Sequence, residues 1–375
     1  MSEVLYSRPG SRECGTMPIE NCRVSVVICC HNGSTRLGPT LAHLLRQDVP
    51  PDLAWEVVLV DNASTDDTER IARTLWPGET PVPMRVVTEP QLGLIYARLR
   101  GLSAARYEIV SFLDDDNWVA VDWVRRVAEI MAADPRVGAC GGRTEAVTEM
   151  APPPWFTDYA AWYAVGRQGE STGDITWRRG RLWGAGLTLR KQAWKDLVEN
   201  GFSATLSGRS GKQMSAGEDT EICYALRLAG WRLWYAEDLM LRHFIPAGRL
   251  TVDYLTRLRC GFGRQSIGID PYRFYVSFDS SDIRSLFGKV WLRQLLREIY
   301  IGLFRDRSLW RSWTAGKRKA LANRMIWLFH RGRITALARL RTEYDNRLNT
   351  FGNNPWIRID RRTAIDLNRE GAKQK

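Results

Sequence analysis

The 375-residue sequence contains no apolar run close to the roughly 18 residues that a membrane-spanning helix requires. Its first twenty residues are polar, so the apolar stretch of a signal peptide is also missing. These two absences argue against an exported protein and against an integral membrane protein. We expect a cytoplasmic protein, and peripheral binding at the inner face of the cell membrane remains open.

Cysteine patterns that define disulfide frameworks or zinc sites are absent as well. The seven cysteines include no Cys-x-x-Cys pair and no zinc spacing, and their number is odd. Several lie within apolar runs, which is typical of reduced thiols in a protein core. The sequence also contains no internal repeat and no low-complexity tract.

The chain carries a formal net charge of +12, with 44% hydrophobic and 26% charged residues. That composition is typical of a globular protein with a substantial core. The positive charge indicates acidic partners, namely nucleotides, anionic lipid headgroups or nucleic acid. Nucleic acid is the least favoured of these because no recognised nucleic-acid-binding module is present.

The first third of the chain alternates buried strands with helices. Apolar runs predict strands at residues 23–30, 55–60, 84–88 and 108–113, and helices at 40–46, 68–75 and 94–105. Such alternation predicts an α/β fold with a mostly parallel sheet and right-handed crossovers. After three prolines at 152–154 the alternation gives way to a loop-rich region at 155–189, then helices at 191–199 and 218–229 and a strand at 231–237.

The C-terminal part of the sequence is basic and aromatic. Between residues 284 and 341 it has fifteen Lys and Arg against two acids, with Trp and Phe interleaved. Two interpretations stay open: docking on an anionic membrane surface, or a helical extension that packs its aromatics on the catalytic domain and leaves its cations solvated. We predict a leader at 1–22, a catalytic domain at 23–265 and a basic helical region at 266–375.

Three consecutive acids, Asp114, Asp115 and Asp116, end the predicted strand 108–113. Adjacent carboxylates repel one another, so such a cluster favours a bound cation or a hydrogen-bonded ligand. Ligands of open parallel sheets bind at the carboxyl ends of the strands. The alternative is an acidic turn in which Asp116 or Asn117 caps the next helix.

Other polar residues follow other strands and reach the same predicted edge of the sheet. Asn32 follows the first strand, Asp61 the second, and Glu218 and Asp219 open a later helix. Several acids at successive strand ends indicate a nucleotide-diphosphate site. As alternatives, Asp61 caps the turn before residue 68, and the Glu218–Asp219 pair are first-turn acids favoured by the helix dipole.

Five segments in register resemble the family-2 glycosyltransferases, inverting enzymes of the GT-A fold. The segments are residues 24–32, 60–66, 93–98, 112–116 and 218–221. Residues 89–94, 114–117, 184–186 and 242–243 further resemble bacterial polysaccharide-biosynthesis members of the hormogonium-polysaccharide type. The resemblance implies a nucleotide-diphosphate-sugar donor and a saccharide or lipid-linked acceptor.

The resemblance also implies a role for each matching residue. Asp61 would bind the base, His31 and Asn32 would lie beside it, and Arg98, Asp114 and Asp115 would contact the rest of the nucleotide. Asp116 would ligate Mn²⁺ or Mg²⁺, with His243 as a further metal ligand. Asp219 would be the general base, and Glu218 would share or orient that role. Trp183, Gly184, Ala185 and Gly186 would form a wall for the donor sugar or the acceptor.

Two motifs depart from the family pattern, and several of the matching residues also have an alternative, purely structural interpretation. His31 replaces the usual Tyr, and Leu99 replaces the usual Asn after Arg98. Arg98 is alternatively a solvated helix charge, His243 a structural histidine, and residues 184–186 a tight turn. The functional alternatives are a nucleotidyltransferase, whose Gly-rich phosphate loop is missing here, and a non-catalytic nucleotide-sugar-binding scaffold.

Overall fold

The structure is a computed structural model that describes residues 22–206, 217–277, 289–305 and 316–374. Residues 1–21 of the predicted leader therefore lie outside the described residues. So do several members of the basic segment, among them Arg284, Arg307, Arg311, Trp310 and Trp313.

Parallel strands separated by helices form the first half of the sheet, as predicted. In chain order these elements are β1 (Val24–Cys30), α1 (Leu37–Leu45), β2 (Trp55–Asn62), α2 (Thr68–Leu75), β3 (Met84–Glu89), α3 (Leu94–Ala104) and β4 (Ile109–Asp114). β1 pairs in parallel with β2 and with β4, and β2 pairs in parallel with β3. Every residue of β1 is buried, because helices cover both faces of the sheet.

The second half of the sheet is mixed rather than parallel. Its elements are β5 (Asn117–Val119), α4 (Trp123–Ala133), β6 (Val137–Thr148), α5 (Phe156–Tyr159), β7 (Gly173–Asp174), β8 (Thr188–Arg190), α6 (Lys191–Glu199), α7 (Glu218–Leu228) and β9 (Arg232–Ile245). The strand order is β3-β2-β1-β4-β8-β6-β9-β5, with β7 also on β9. β8 runs antiparallel to β4 and β6. β6 was not predicted, since its glycines weaken the strand signal.

An irregularity in the pairing of β6 with β9 brings the end of β9 to the acidic cluster. The parallel register shifts between Gly142 and Arg143, whose partners are Ala236 and Met240. A Cβ atom on Gly142 would lie 1.8 Å from the carbonyl oxygen of Leu239, so only glycine fits there. Beyond the shift β9 continues to Ile245, well past the predicted end at 237, and pairs with β5. Bulges of this kind redirect strands beside functional sites.

Helices form the C-terminal part, as predicted. They are α8 (Val252–Ser277), α9 (Val290–Tyr300), α10 (Lys317–Leu340), α11 (Thr342–Thr350) and α12 (Arg361–Lys373). The predicted domain boundary at 265/266 lies inside α8. Gly263 and Gly332 let α8 and α10 approach closely, because a Cβ on either would lie 2.1–2.2 Å from a carbonyl oxygen of the other helix. Within the described residues no helix combines the length and apolar composition needed to cross a bilayer.

A buried network of charged groups joins four of these helices. Arg333 of α10 donates to Asp270 of α8 at 2.9 Å and to Glu298 of α9 at 2.7 Å. Tyr344 of α11 donates to the same Asp270 at 3.0 Å, and His330 lies 2.6 Å from Glu298. Burial by itself lowers the pKa of Arg333, but the two carboxylates raise it well above its ordinary value. Arg333 is therefore internal, which differs from the packing interpretation of the basic segment, because that interpretation expected the cations to be solvated.

Candidate active site

A cavity of about 690 Å³ lies at the carboxyl ends of β1 and β4, between the start of α7 and the side of α8. Eleven of the fourteen predicted site residues line it, namely His31, Arg98, Asp114, Asp115, Asp116, Trp183, Gly184, Ala185, Glu218, Asp219 and His243. Residues from the two halves of the sheet thus meet at one place. Their individual roles stay predictions.

Asn32 and Asp61 do not line the cavity but order the turn after β2. Asn32 has φ +50°, and its side-chain oxygen accepts from the N–H of Thr65 at 2.8 Å. A carboxylate oxygen of Asp61 accepts from the N–H of Ser64 at 3.3 Å. This geometry matches the capping alternative for Asp61, and its role in base recognition stays a prediction.

The neighbouring residue, Asn62, does line the cavity and was not singled out from the sequence. Its amide donates to the carbonyl oxygens of Glu89 and Gln91 at 3.1 and 2.7 Å, and accepts from the N–H of Gly93 at 2.8 Å. These bonds hold the loop between β3 and α3 at the cavity edge.

Gly186 is a structural glycine under the predicted pocket wall. Its φ is +73°, and an added Cβ would lie 2.7 Å from the ring of Trp123. Position 184 favours glycine for a different reason: a Cβ there would lie 2.5 Å from a guanidinium nitrogen of Arg98. The stretch 184–186 therefore combines the tight turn and the cavity wall that the sequence left as alternatives.

Asp115 is held by an internal ion pair. Its carboxylate accepts from Arg36 at 2.6 Å and from the thiol of Cys30 at 3.5 Å, in a buried position. Burial, then the charge of Asp116, raises the pKa of Asp115 against the opposing effect of Arg36. Arg36 lies in the turn before α1 and was missed, because no spacing in the sequence links it to Asp115.

Asp116 lies between a cation and an imidazole. One carboxylate oxygen is 3.0 Å from Arg249, and the other is 3.5 Å from Nε2 of His243 and accepts from the amide of Asn117 at 3.1 Å. The pairing of β5 with β9 sets Asn117 opposite His243 and so creates this contact. Arg249 was also missed, since it follows β9 by only a few residues and belongs to no motif.

The imidazole of His243 is oriented by a hydrogen bond at Nδ1, and its Nε2 faces Asp116. Its Nδ1 lies 2.8 Å from the carbonyl oxygen of Tyr163, and a carbonyl only accepts, so Nδ1 carries the proton. In the neutral imidazole, Nε2 then carries the lone pair, on the side of the ring that faces Asp116. Histidines that bind a metal through one ring nitrogen usually donate the N–H of the other nitrogen to such a carbonyl oxygen or to a carboxylate.

Asp116 and His243 supply a carboxylate oxygen and an imidazole nitrogen, which suit a divalent cation such as Mn²⁺. Within the described residues no group of three or more His, Cys, Asp and Glu is placed to hold a metal. The pair therefore fits an ion that takes the remaining ligands from a diphosphate and water, as Mg²⁺ commonly does.

Asp219 faces the cavity from the first turn of α7, which follows Gly217 at φ +113°. Its two carboxylate oxygens accept from the backbone N–H of Gly184 at 2.8 Å and of Thr220 at 2.6 Å. These bonds fix the carboxylate at the wall formed by residues 183–185. Asp219 is partly exposed there, so a substrate hydroxyl can reach it.

Glu218 is buried behind Asp219 and paired with Arg98 at 3.1 Å. Burial raises the pKa of Glu218 to about 7, with Arg98 opposing the shift and Asp219 adding to it. Arg98 also donates to the carbonyl oxygen of Gly184 at 3.2 Å. Arg98 is thus a buried ion-pair partner, and the alternative of a solvated helix charge is wrong.

Comparisons with known proteins agree with this architecture. A family model described as Glycosyl transferase family 2 matches residues 25–197. The succinoglycan biosynthesis protein ExoM of Rhizobium meliloti is 26% identical over 253 residues, covering 66% of this chain and 75% of that protein. A glucosyl-dolichyl phosphate glucuronosyltransferase of Haloferax volcanii is 21% identical over 236 residues, covering 62% and 72%.

A solved structure resembles nearly the whole chain. It is that of S. aureus TarS 1–349 in complex with UDP-GlcNAc, with a TM-score of 0.51 and 15% identity. The match covers 94% of this chain and 91% of that one. At this identity the likeness concerns the fold, and it includes the C-terminal helices.

Proposed function

The chain belongs to glycosyl transferase family 2 and has the GT-A fold, and we propose that it transfers a sugar from a nucleotide-diphosphate sugar to a saccharide or lipid-linked acceptor in polysaccharide biosynthesis. The observation that carries the proposal is the arrangement of the cavity. The Asp116–His243 pair lies on one side, at the end of β4 and β9, and Asp219 lies on another, at the start of α7.

Asp219 acts as the general base in this proposal. It accepts the proton of an acceptor hydroxyl as that oxygen attacks the anomeric carbon, and the nucleoside diphosphate leaves from the opposite side with inversion. Its hydrogen bonds to Gly184 and Thr220 hold the carboxylate in one orientation before substrate arrives. Asp116 and His243 would hold a divalent cation, which would supply neutralisation of the diphosphate charge.

Glu218 and Arg98 position this base. Their ion pair joins the start of α7 to α3, and Arg98 also holds the carbonyl of Gly184, whose N–H binds Asp219. Burial of Glu218 leaves Asp219 as the carboxylate that meets the acceptor. The match to the glycosyl transferase family 2 model favours sugar transfer over the nucleotidyltransferase alternative.

The donor site is tested by nucleotide binding to Asp116→Ala. Wild type is expected to be stabilised by one nucleoside diphosphate or its sugar in the presence of Mn²⁺, by about 2.7 kcal/mol at 100 times its dissociation constant. Asp116→Ala should lose the Mn²⁺-dependent part of that stabilisation, because it removes the carboxylate donor. A thermal-shift series with UDP, GDP and their sugars, with and without Mn²⁺, measures this directly.

A matched control is Asp122→Ala, which removes an aspartate outside the cavity whose carboxylate pairs with Arg125 at 3.3 Å. It should keep the full response. Equal Mn²⁺-dependent stabilisation in wild type and Asp116→Ala would contradict the assignment of Asp116.

We further propose that the protein binds peripherally to the cytoplasmic face of an anionic membrane, where lipid-linked acceptors reside. The support is an apolar stripe on α9 and the turn that follows, formed by Leu292, Leu296, Tyr300 and Phe304, which are 38%, 57%, 57% and 62% exposed. The four-residue spacing places them on one face of the helix. The exposed Arg293 and Arg297 flank them. Apolar side chains beside cations are typical of helices that lie in an anionic interface.

Leu296→Asp is therefore expected to reduce binding to anionic vesicles by tenfold or more, because it places a negative charge in the centre of the stripe. The matched control is Leu99→Asp, the same substitution at a leucine of α3 that is 38% exposed and lies outside the stripe. This variant should bind anionic vesicles normally. Co-sedimentation with phosphatidylglycerol vesicles, compared with phosphatidylcholine vesicles, measures the effect. Unchanged sedimentation of Leu296→Asp would rule out this surface.

A further inference from the structure

One face of α8 forms a wall along the whole catalytic cavity. The lining side chains follow the helical repeat through Tyr254, Leu258, Phe262, Ile269 and Arg273, and Arg259 lies next to Leu258. At 1.5 Å per residue this face extends for about 28 Å. The turn at 161–164 and Phe329 of α10 complete the wall beside its first half. The first half is therefore mostly aromatic and apolar.

The arginines of the cavity divide into two groups. Arg36, Arg98 and Arg249 each pair with one carboxylate, at 2.6, 3.1 and 3.0 Å. The others are Arg181, Arg259 and Arg273. None of these three has a carboxylate within the 4.0 Å of an ion pair, as far as the described parts of the chain extend.

Arg259 is the most constrained of these unpaired cations. Its guanidinium carbon lies 4.5 Å from the ring centroid of Trp162 and 4.3 Å from that of Phe329, so two aromatic rings lie against the group. Its Nε donates to the carbonyl oxygen of Met325 at 3.2 Å. The two terminal nitrogens make no hydrogen bond within the described residues. Burial lowers the pKa of Arg259 to about 10, and Tyr159 opposes this shift only in part.

A stacked guanidinium whose outer edge is free is suited to bind an anion. The planar group presents two parallel N–H donors, which match the oxygens of a phosphoryl group. Stacking between two rings restricts the orientation in advance, so less entropy is lost on binding. A partly buried cation without a counter-ion also costs free energy that an arriving anion recovers.

The surroundings of Arg259 distinguish two sources of such an anion. A nucleotide-diphosphate sugar can stack its base or sugar on an aromatic ring. It has no hydrocarbon chain, however, to cover the rest of a wall that includes Trp162, Phe262 and Tyr254. Trp162 and Phe262 pack edge to face at 6.4 Å, and Leu258 lies beside them on the same wall. A phosphoryl group carried on a hydrocarbon chain matches both the cation and the wall.

We propose that Arg259, stacked between Trp162 and Phe329, binds the phosphoryl group of a lipid-phosphate-linked acceptor, whose hydrocarbon lies against Trp162, Phe262 and Leu258. This site rests on the proposed glycosyl transfer and names the acceptor that the cavity takes. The C-terminal helices then complete the acceptor site rather than only supporting the catalytic domain.

The test uses geranyl phosphate as the probe and calorimetric titration of the full-length chain. Wild type should bind geranyl phosphate at least tenfold more tightly than geraniol or inorganic phosphate. Arg259→Gln should lose tenfold or more of the affinity for geranyl phosphate, since it removes the anion-binding fork. Its affinity for the nucleoside diphosphate with Mn²⁺ should stay that of wild type.

Arg257→Gln is the matched control on the same helix, because Arg257 is exposed and pairs with Asp253 at 3.1 Å. It should bind both ligands normally. If Arg259→Gln fails to fold, Arg259→Lys replaces it: the charge remains but the stacked fork is lost, so a severalfold loss is expected.

The outcomes separate this site from the proposed reaction. Loss of nucleotide affinity in Arg259→Gln, with geranyl phosphate binding unchanged, would assign the anion to the donor and overturn the acceptor site. Absence of geranyl phosphate binding in wild type that still binds Mn²⁺ and nucleotide would also overturn it, and would leave the glycosyl transfer standing. Equal affinity for inorganic phosphate and geranyl phosphate would contradict the proposed contact between the hydrocarbon chain and the wall.

Discussion

Replacement of Asp219 by Asn is expected to lower kcat by 10²–10⁴-fold, the range over which a positioned general base contributes. The dissociation constant for the nucleotide sugar should stay close to that of wild type, because Asp219 lies at the start of α7, apart from the Asp116–His243 pair. Asn keeps the size of the side chain but cannot take the proton. Single-turnover rates and donor titrations of the same preparations measure the two quantities separately.

Glu218→Gln is the informative companion to this variant. Glu218 is adjacent in sequence and also acidic, but it is buried against Arg98 rather than presented to the acceptor. We expect a smaller loss of kcat from Glu218→Gln than from Asp219→Asn. The reverse order would show that Glu218 is the base and that Asp219 serves to hold residue 184.

Replacement of Arg333 by Met is expected to lower the free energy of unfolding by about 3–5 kcal/mol. The substitution leaves Asp270 and Glu298, both buried, without the cation that now pairs with them at 2.9 and 2.7 Å. An unpaired buried carboxylate is costly because no water replaces the lost partner. Urea unfolding monitored by tryptophan fluorescence measures the change.

Arg331→Met provides the control for this prediction, since Arg331 is exposed on the same helix. Surface substitutions of this kind usually change stability by no more than about 0.5 kcal/mol. Combining Arg333→Met with Asp270→Asn and Glu298→Gln should recover part of the loss by removing the stranded charges. A loss below about 1 kcal/mol in Arg333→Met would contradict the role of the network.

The Arg333 network changes how the basic segment is understood. Arg333 is internal, whereas Arg293 and Arg297 are exposed beside the apolar stripe of α9. The packing interpretation expected solvated cations, which describes Arg293 and Arg297 but not Arg333, and membrane docking stays a proposal. Through α8 the network also supports the wall that carries Arg259.

The first four strands and their helices could be predicted from the sequence alone. Buried parallel strands are continuous apolar runs, as in β1 and β2, and each ends at a polar turn. The carboxyl ends of parallel strands share one edge of a sheet, so Asp114 to Asp116 were expected at a ligand site. The chain order of the motifs then indicated Glu218 and Asp219. All five line the cavity.

The partner that each of these side chains contacts was decided only by the tertiary structure. Asp115 and Asp116 are neighbours with the same side chain, yet one pairs with Arg36 and the other meets Arg249 and His243. Such ion pairs join residues far apart in the chain and depend on a bulge in β9 and on the path of α8. Sequence patterns report local periodicity and which face is buried. They do not indicate which distant cation pairs with a given carboxylate, because that pairing depends on how strands and helices pack.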